Sequence, residues 1–179
     1  LPGEKPDNKK TFEKCHEYLK RKGTLLLFPE GNSYYELKLR KIKTGTARIA
    51  LSYEGLNDFK GGLKILPVAL DYSDSIQFRS MVSITINPVL TLEAYKESYL
   101  KNEFDGVMEL TNKIKKELSQ HIPHTSGKDQ EEFLIKTHKF YATFNEPSSH
   151  LHNNPKKSLI LRKQLSDALH NVQKNHNEI

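Results

Sequence analysis

The chain has 179 residues, with 28 Lys+Arg against 22 Asp+Glu for a formal charge of +6, 36% hydrophobic and 28% charged content, and one cysteine. That length and apolar content fit one domain able to bury a core and exclude a wholly disordered chain, while a lone cysteine excludes a disulfide framework and a multi-cysteine zinc site. No apolar stretch approaches the roughly 20 residues of a membrane-spanning helix, and the start at Leu1-Pro2-Gly3, with neither Met nor a signal-like segment, reads as a piece of a longer protein.

Asp7 or Asn8 is placed to cap a first helix, with Phe12, Cys15, Tyr18 and Leu19 at helical spacing and Gly23 as its stop. Thr24 to Phe28 is continuously apolar, the pattern of a strand buried on both faces, and Pro29 ends it. Glu30 to Lys43 reads as a polar, basic loop. Thr44 is a plausible N-cap for a second helix carrying Ala47, Ile49, Ala50 and Leu51, with Gly55 as its stop. Leu63 to Leu70 predicts another buried strand, and the alternation in Ser80 to Ile86 predicts a strand whose drier face is Val82, Ile84 and Ile86. Two helical segments follow, near Thr91 to Leu100 and from Phe104, the second with Val107, Met108, Thr111, Ile114 and Leu118 on one face.

Alternating helices and strands predict an α/β domain over 1–121, with a mixed, largely buried sheet flanked by helices. Residues 122–179 read as a helical appendage. In it, Ser126 to Asp129 fits a capping box opening a helix, and Phe133, Thr137, Phe140, Tyr141 and Phe144 share one side as a packing face. A linker rich in Asn and Pro follows over 145–157. The last helix, Ser158 to Lys174, has a stripe of Leu161, Leu165, Ala168, Leu169 and Val172.

Chemistry concentrates in Phe28-Pro29-Glu30-Gly31-Asn32-Ser33 and the following Lys43-Thr44-Gly45. A strand would deliver Glu30 and Gly31 to its carboxyl end, where open α/β sheets place ligands. Lys43 precedes a helix N-terminus, which already favours anions through its N–H groups and dipole. Residues 1–43 hold eleven Lys/Arg and six Asp/Glu, so most of the net charge lies here, and a phosphate-bearing ligand is the expectation. The bland alternative is a strand-ending turn beside solvated lysines.

These blocks, with Ala47-Arg48-Ile49-Ala50-Leu51 and Ile65-Leu66-Pro67-Val68, resemble the third and fourth sequence blocks of the glycerolipid acyltransferases. The likeness runs from about Asn8 to the Phe104 helix. It implies that Glu30, Gly31 and Ser33 line the pocket for the acceptor's glycerol-phosphate, that Lys43 substitutes for an arginine missing after the glycine, with Arg40 or Lys41 behind it, and that Pro67 and Val68 lie along the acyl-donor path. It implies no metal and no cofactor beyond an acyl thioester co-substrate, and a place on the cytoplasmic face of a membrane. The family's catalytic block, a His followed five positions later by an Asp, is expected upstream of Leu1, because five residues after His16 stands Arg21. His124 and Asp129 have the spacing but lie downstream, and Asp129 already has the capping role. Cys15 reads as a buried hydrophobe, and His150 and His152 as solvated residues of the linker. Two rival readings are a basic nucleic-acid-binding module, which the lack of Trp and of any nucleic-acid motif weighs against, and a catalytically silent membrane adaptor of the same family.

Overall fold

The computed structural model describes residues 8–32, 36–72, 78, 80–145 and 155–176. Among them the helices are α1 (Asn8–Lys20), α2 (Gly45–Leu56), α3 (Lys96–Lys101), α4 (Glu103–Ser119), α5 (Lys128–Asn145) and α6 (Pro155–His176). The strands are β1 (Lys64–Ile65), β2 (Val68–Tyr72), β3 (Val82–Ile86) and β4 (Leu90–Thr91). A turn of 3₁₀ helix, Glu93–Tyr95, precedes α3. The protein is of mixed α/β class, and no described helix is long and apolar enough to cross a membrane. The chain divides into two compact units, one of residues 1–32, 42–65 and 90–113, the other of 33–41, 66–89 and 114–179.

In the first unit, α1 and α2 pack face to face. Leu19, Ile49 and Tyr53 are buried together, and Phe12, Cys15, Leu25 and Leu63 close around them. Phe12, Cys15 and Leu19 of the predicted spacing meet α2, with Cys15 only half-buried, whereas Tyr18 is 51% exposed. The pairing is also polar. His16 Nε2 lies 3.2 Å from the Ile49 carbonyl and 2.9 Å from Ser52 Oγ. A carbonyl only accepts, so this nitrogen carries the proton, and Ser52 Oγ in turn donates to the Arg48 carbonyl at 2.6 Å. At the far end of α2, the Glu54 carboxylate accepts the backbone N–H groups of Gly61 (3.0 Å) and Leu63 (2.6 Å). Glu54 is only 2% exposed, and these two bonds satisfy a buried charge while fixing the loop that leads into β1. β1 pairs antiparallel with β4, Lys64 opposite Thr91 and Ile65 opposite Leu90.

Several expectations are corrected in this unit. Thr24 to Phe28 is not a buried strand: it pairs with no described strand, and Leu26 and Phe28 are 80% and 68% exposed. An apolar run becomes a doubly buried strand only where ladders and helices exist to cover it, and among the described residues the strands form two separate two-stranded pieces. Lys22, at φ 64°, takes the left-handed position after α1 rather than Gly23. Thr44 stands at the start of α2 without a side-chain cap, and its carbonyl accepts the Arg48 N–H at 2.9 Å instead.

In the second unit, β2 and β3 form an antiparallel hairpin with Val68 opposite Ile86, Leu70 opposite Ile84 and Tyr72 opposite Val82. The stretch expected as one strand from Leu63 to Leu70 is broken at Leu66-Pro67, since proline has no N–H for a ladder. The alternation in β3 is present, but its polarity is reversed: Val82, Ile84 and Ile86 face outward with Val68, Leu70 and Tyr72, while Ala69 and Asp71 are buried. The reason lies in α6, which packs against β3. Arg162 of α6 forms a buried ion pair with Asp71 and donates from Nη1 to the Tyr72 carbonyl at 3.0 Å. Burial pushes the Asp71 carboxyl above the usual carboxylate range, with the opposing pull of Arg162 the smaller effect. The buried side of α6 is accordingly Ser158, Leu159, Arg162 and Ser166, while Val172 of the expected stripe is exposed.

α5 also departs from its pattern. Leu134 is fully buried, but Phe133, Phe140, Tyr141 and Phe144 are exposed, so the aromatic side is not a packing face among the described residues. Phe140 and Phe144 touch each other instead, their ring centroids 4.5 Å apart. The capping box is closed by Gln130 rather than Asp129, the Gln130 Oε1 accepting both the Ser126 N–H (2.7 Å) and its Oγ–H (2.6 Å). Most of the linker expected over 145–157, with His150 and His152, lies outside the described residues.

Candidate functional site

The Phe28-to-Gly31 stretch folds back as a tight turn, the Gly31 N–H donating to the Phe28 carbonyl at 3.0 Å. Gly31 adopts φ 80°, a left-handed backbone that favours glycine. The Lys43 N–H donates to the Pro29 carbonyl at 2.8 Å, tying the start of α2 to this turn. The Lys43 side chain then lies directly over Gly31, where a Cβ would collide with it from Cδ to Nζ. Two features of the sequence thus explain each other. Glycine at 31 leaves room for the lysine, and the backbone bond at 43 aims it.

Glu30, Gly31 and Lys43 therefore come together in the first unit, at the N-terminus of α2. The ammonium group adds a full positive charge to a helix end that already presents N–H groups, and Gly45 beside it faces open space. Arg48, one turn further along α2, was not singled out in the sequence for a role. Its guanidinium sits 5.0 Å from the Phe12 ring centroid, a cation–π contact holding a second positive charge on the same helix. Its position four residues after Thr44, on one face with it, is the signal that could have marked it. The arrangement can hold an anion and offers a carboxylate, Glu30, beside it.

The other expected residues are distributed differently. Ser33 lies outside the described residues. Arg40 and Lys41 belong to the second unit, where the Arg40 guanidinium pairs with Glu36 at 2.6 Å and Lys38 joins the same carboxylate at 3.2 Å. These two partners hold the Glu36 carboxyl below its ordinary range, Arg40 first. Pro67 and Val68 are also in the second unit: Pro67 is buried and its carbonyl accepts the Asn87 N–H at 3.0 Å, while Val68 opens β2 with its side chain exposed. His124 and Asp129 share no hydrogen bond or ion pair among the described residues, and His124 is instead bonded through its backbone to Ser166.

Residues 2–71 match the family model described as Acyltransferase. The chain is also 32% identical over 112 residues to a protein of Saccharomyces cerevisiae named glycerol-3-phosphate O-acyltransferase 2. That alignment covers 62% of this chain and 15% of the yeast protein, so the chain spans a small part of its relative. No solved structure matches it. The stretch that holds Glu30, Gly31 and Lys43 thus lies within the region that resembles the acyltransferases.

Proposed function

We propose that the Gly31–Lys43 turn holds the phosphate of a glycerol-phosphate acceptor, in an enzyme that moves a fatty acyl group onto that acceptor. The donor is acyl-CoA or acyl carrier protein, and the acceptor is glycerol-3-phosphate or its 1-acyl form. The observation that carries this reading is the Lys43 side chain laid over a glycine of positive φ at the N-terminus of α2. A phosphate there would meet a lysine ammonium and helix N–H groups together.

The chemistry requires a base for the acceptor hydroxyl. In this scheme a His oriented by an Asp, the pair used by the family that the chain resembles, takes that proton as the oxygen attacks the thioester carbonyl and returns it to the departing thiolate. Glu30, Gly31 and Lys43 then serve to position the acceptor. No metal or further cofactor enters this scheme. The exposed Phe133, Phe140 and Phe144 of α5 favour a membrane surface as the place of reaction.

The test is acceptor kinetics on the full-length protein. Lys43→Ala should raise the KM for glycerol-3-phosphate about tenfold or more, the value of one charge-assisted hydrogen bond. Lys60→Ala, on an exposed loop of the same unit, should leave it unchanged. Unaltered acceptor KM in Lys43→Ala would refute the site.

A further inference from the structure

The second unit gathers cations that the acceptor site does not use. Its centre is the loop between α4 and α5, which is held from two sides. The His124 N–H donates to Ser166 Oγ at 2.8 Å, and that hydroxyl donates back to the His124 carbonyl at 2.6 Å. The Thr125 N–H and its Oγ1 both donate to the Leu37 carbonyl at 3.1 Å. Ser166, Thr125 and Pro123 are buried, so three stretches of chain are fixed around His124.

The positions of the cations follow from these bonds. On α6, Lys163 lies three residues before Ser166 and His170 four after it, so both share the face that holds His124. The bond to Leu37 brings in the adjacent Lys38, and the end of α4 supplies Lys115. Electrostatics agrees with the geometry. The His124 imidazole is held below its ordinary range by burial first, and then by the charges of His170, Lys163, Lys38 and Lys115. Lys38 has Glu36 as counter-ion at 3.2 Å and Lys163 has Asp167 at 2.7 Å. Lys115 has none among the described residues. Among the described residues, the ion pairs of Lys38 and Lys163 supply two carboxylates, Glu36 and Asp167, for the three ammonium groups of Lys38, Lys115 and Lys163, an excess of positive charge that an added anion relieves.

We propose that Lys38, Lys115, Lys163, His124 and His170 form a second anion site, one that takes a phosphomonoester. Lysine suits phosphate as a mobile point charge, and the flanking imidazoles add donors. The site is in a different unit from Gly31 and Lys43 and does not rest on the acyltransferase reading. A soluble phosphomonoester and the headgroup of phosphatidic acid present the same chemistry.

The experiment follows the imidazole ¹H–¹³C resonances of His124 and His170 in the 179-residue chain as inorganic phosphate is added at constant pH, with sodium chloride at matched ionic strength as the control. Both resonances should shift saturably with phosphate and not with chloride. Lys115→Gln, at an exposed position, and Lys163→Gln, which also removes the ion pair with Asp167, should each weaken the affinity about tenfold, and Lys60→Gln should not change it. Sedimentation with phosphatidylcholine vesicles, with and without phosphatidic acid, then separates the sources. Binding that requires phosphatidic acid and is lost in Lys115→Gln assigns the site to a headgroup, and phosphate shifts without vesicle binding assign it to a soluble ligand. Shifts that match chloride, or that survive unchanged in the double Lys115→Gln/Lys163→Gln variant, overturn the proposal.

Discussion

Replacing Arg162 by Met tests the energetics of the buried pair that joins α6 to the β2–β3 hairpin. Arg162 and Asp71 are 5% and 8% exposed, and Arg162 also serves the Tyr72 carbonyl. Removing the guanidinium leaves a carboxylate without its partner in a dry site, and breaking such a pair costs about 3–5 kcal/mol. For a chain of this size that corresponds to a fall in Tm of about 6–20 °C. Replacing both members, Asp71→Leu with Arg162→Met, removes two desolvated charges together and should recover most of that loss. Urea unfolding of the wild type, the two single variants and the double gives the coupling energy directly.

Acidity supplies a second reading of the same pair. Burial raises the Asp71 carboxyl in the folded state, so folded protein binds this proton more readily than unfolded protein does. The contribution of Asp71 to stability is therefore highest at low pH. It falls as pH rises from the unfolded carboxylate value of 3.8 through the raised folded value, and Asp71→Asn should flatten that decline. Singles that each cost under about 1 kcal/mol, or a double variant as unstable as the sum of its singles, would refute the reasoning.

Four further changes have defined outcomes. Gly31→Ala forces an L-residue to φ 80° and drives its Cβ into Lys43, which should cost about 1–2 kcal/mol in thermal unfolding. Gly45→Ala, at the first position of α2 with open space beside it, should instead raise stability by about 0.4–1 kcal/mol, and equal effects of the two would contradict this account. Glu54→Gln replaces an acceptor of two buried N–H groups by an amide that turns a donor toward one of them, a loss of about 1–3 kcal/mol measurable in urea. Asn87 is buried with neither end of its amide hydrogen-bonded among the described residues, so Asn87→Leu should unfold at a higher urea concentration than the wild type.

What the sequence reveals here is local. The apolar spacing of Phe12, Cys15 and Leu19 marks the face of α1 that meets α2, and the Pro-Glu-Gly turn with its Lys43 is evident before any coordinates. The errors share a cause in distant partners. Asp71 and Arg162 are 91 residues apart, and nothing near either shows that an arginine would enter the buried side of α6 and turn the apolar side of β3 outward. Thr24 to Phe28 has the composition of a covered strand, but composition does not supply the cover. On α5 the aromatic residues do share one side, but the helix turns Leu134 inward and leaves that side in solvent, a choice that depends on its packing with α6.

The division of the chain into interleaved stretches bears on how it folds. The first unit needs residues from before position 32 and from beyond position 90, and the second needs 33–41 together with segments running past 114. During synthesis, the α1–α2 pair can form early, because its contacts are close in sequence. The β1–β4 ladder and the hydrogen bond from Thr125 to Leu37 must wait for much later chain. Contacts of that span make folding slow relative to a helical bundle of the same size. Leu26, Leu27 and Phe28 are exposed even in the folded structure, so this short apolar stretch is open to a chaperone during folding and after it.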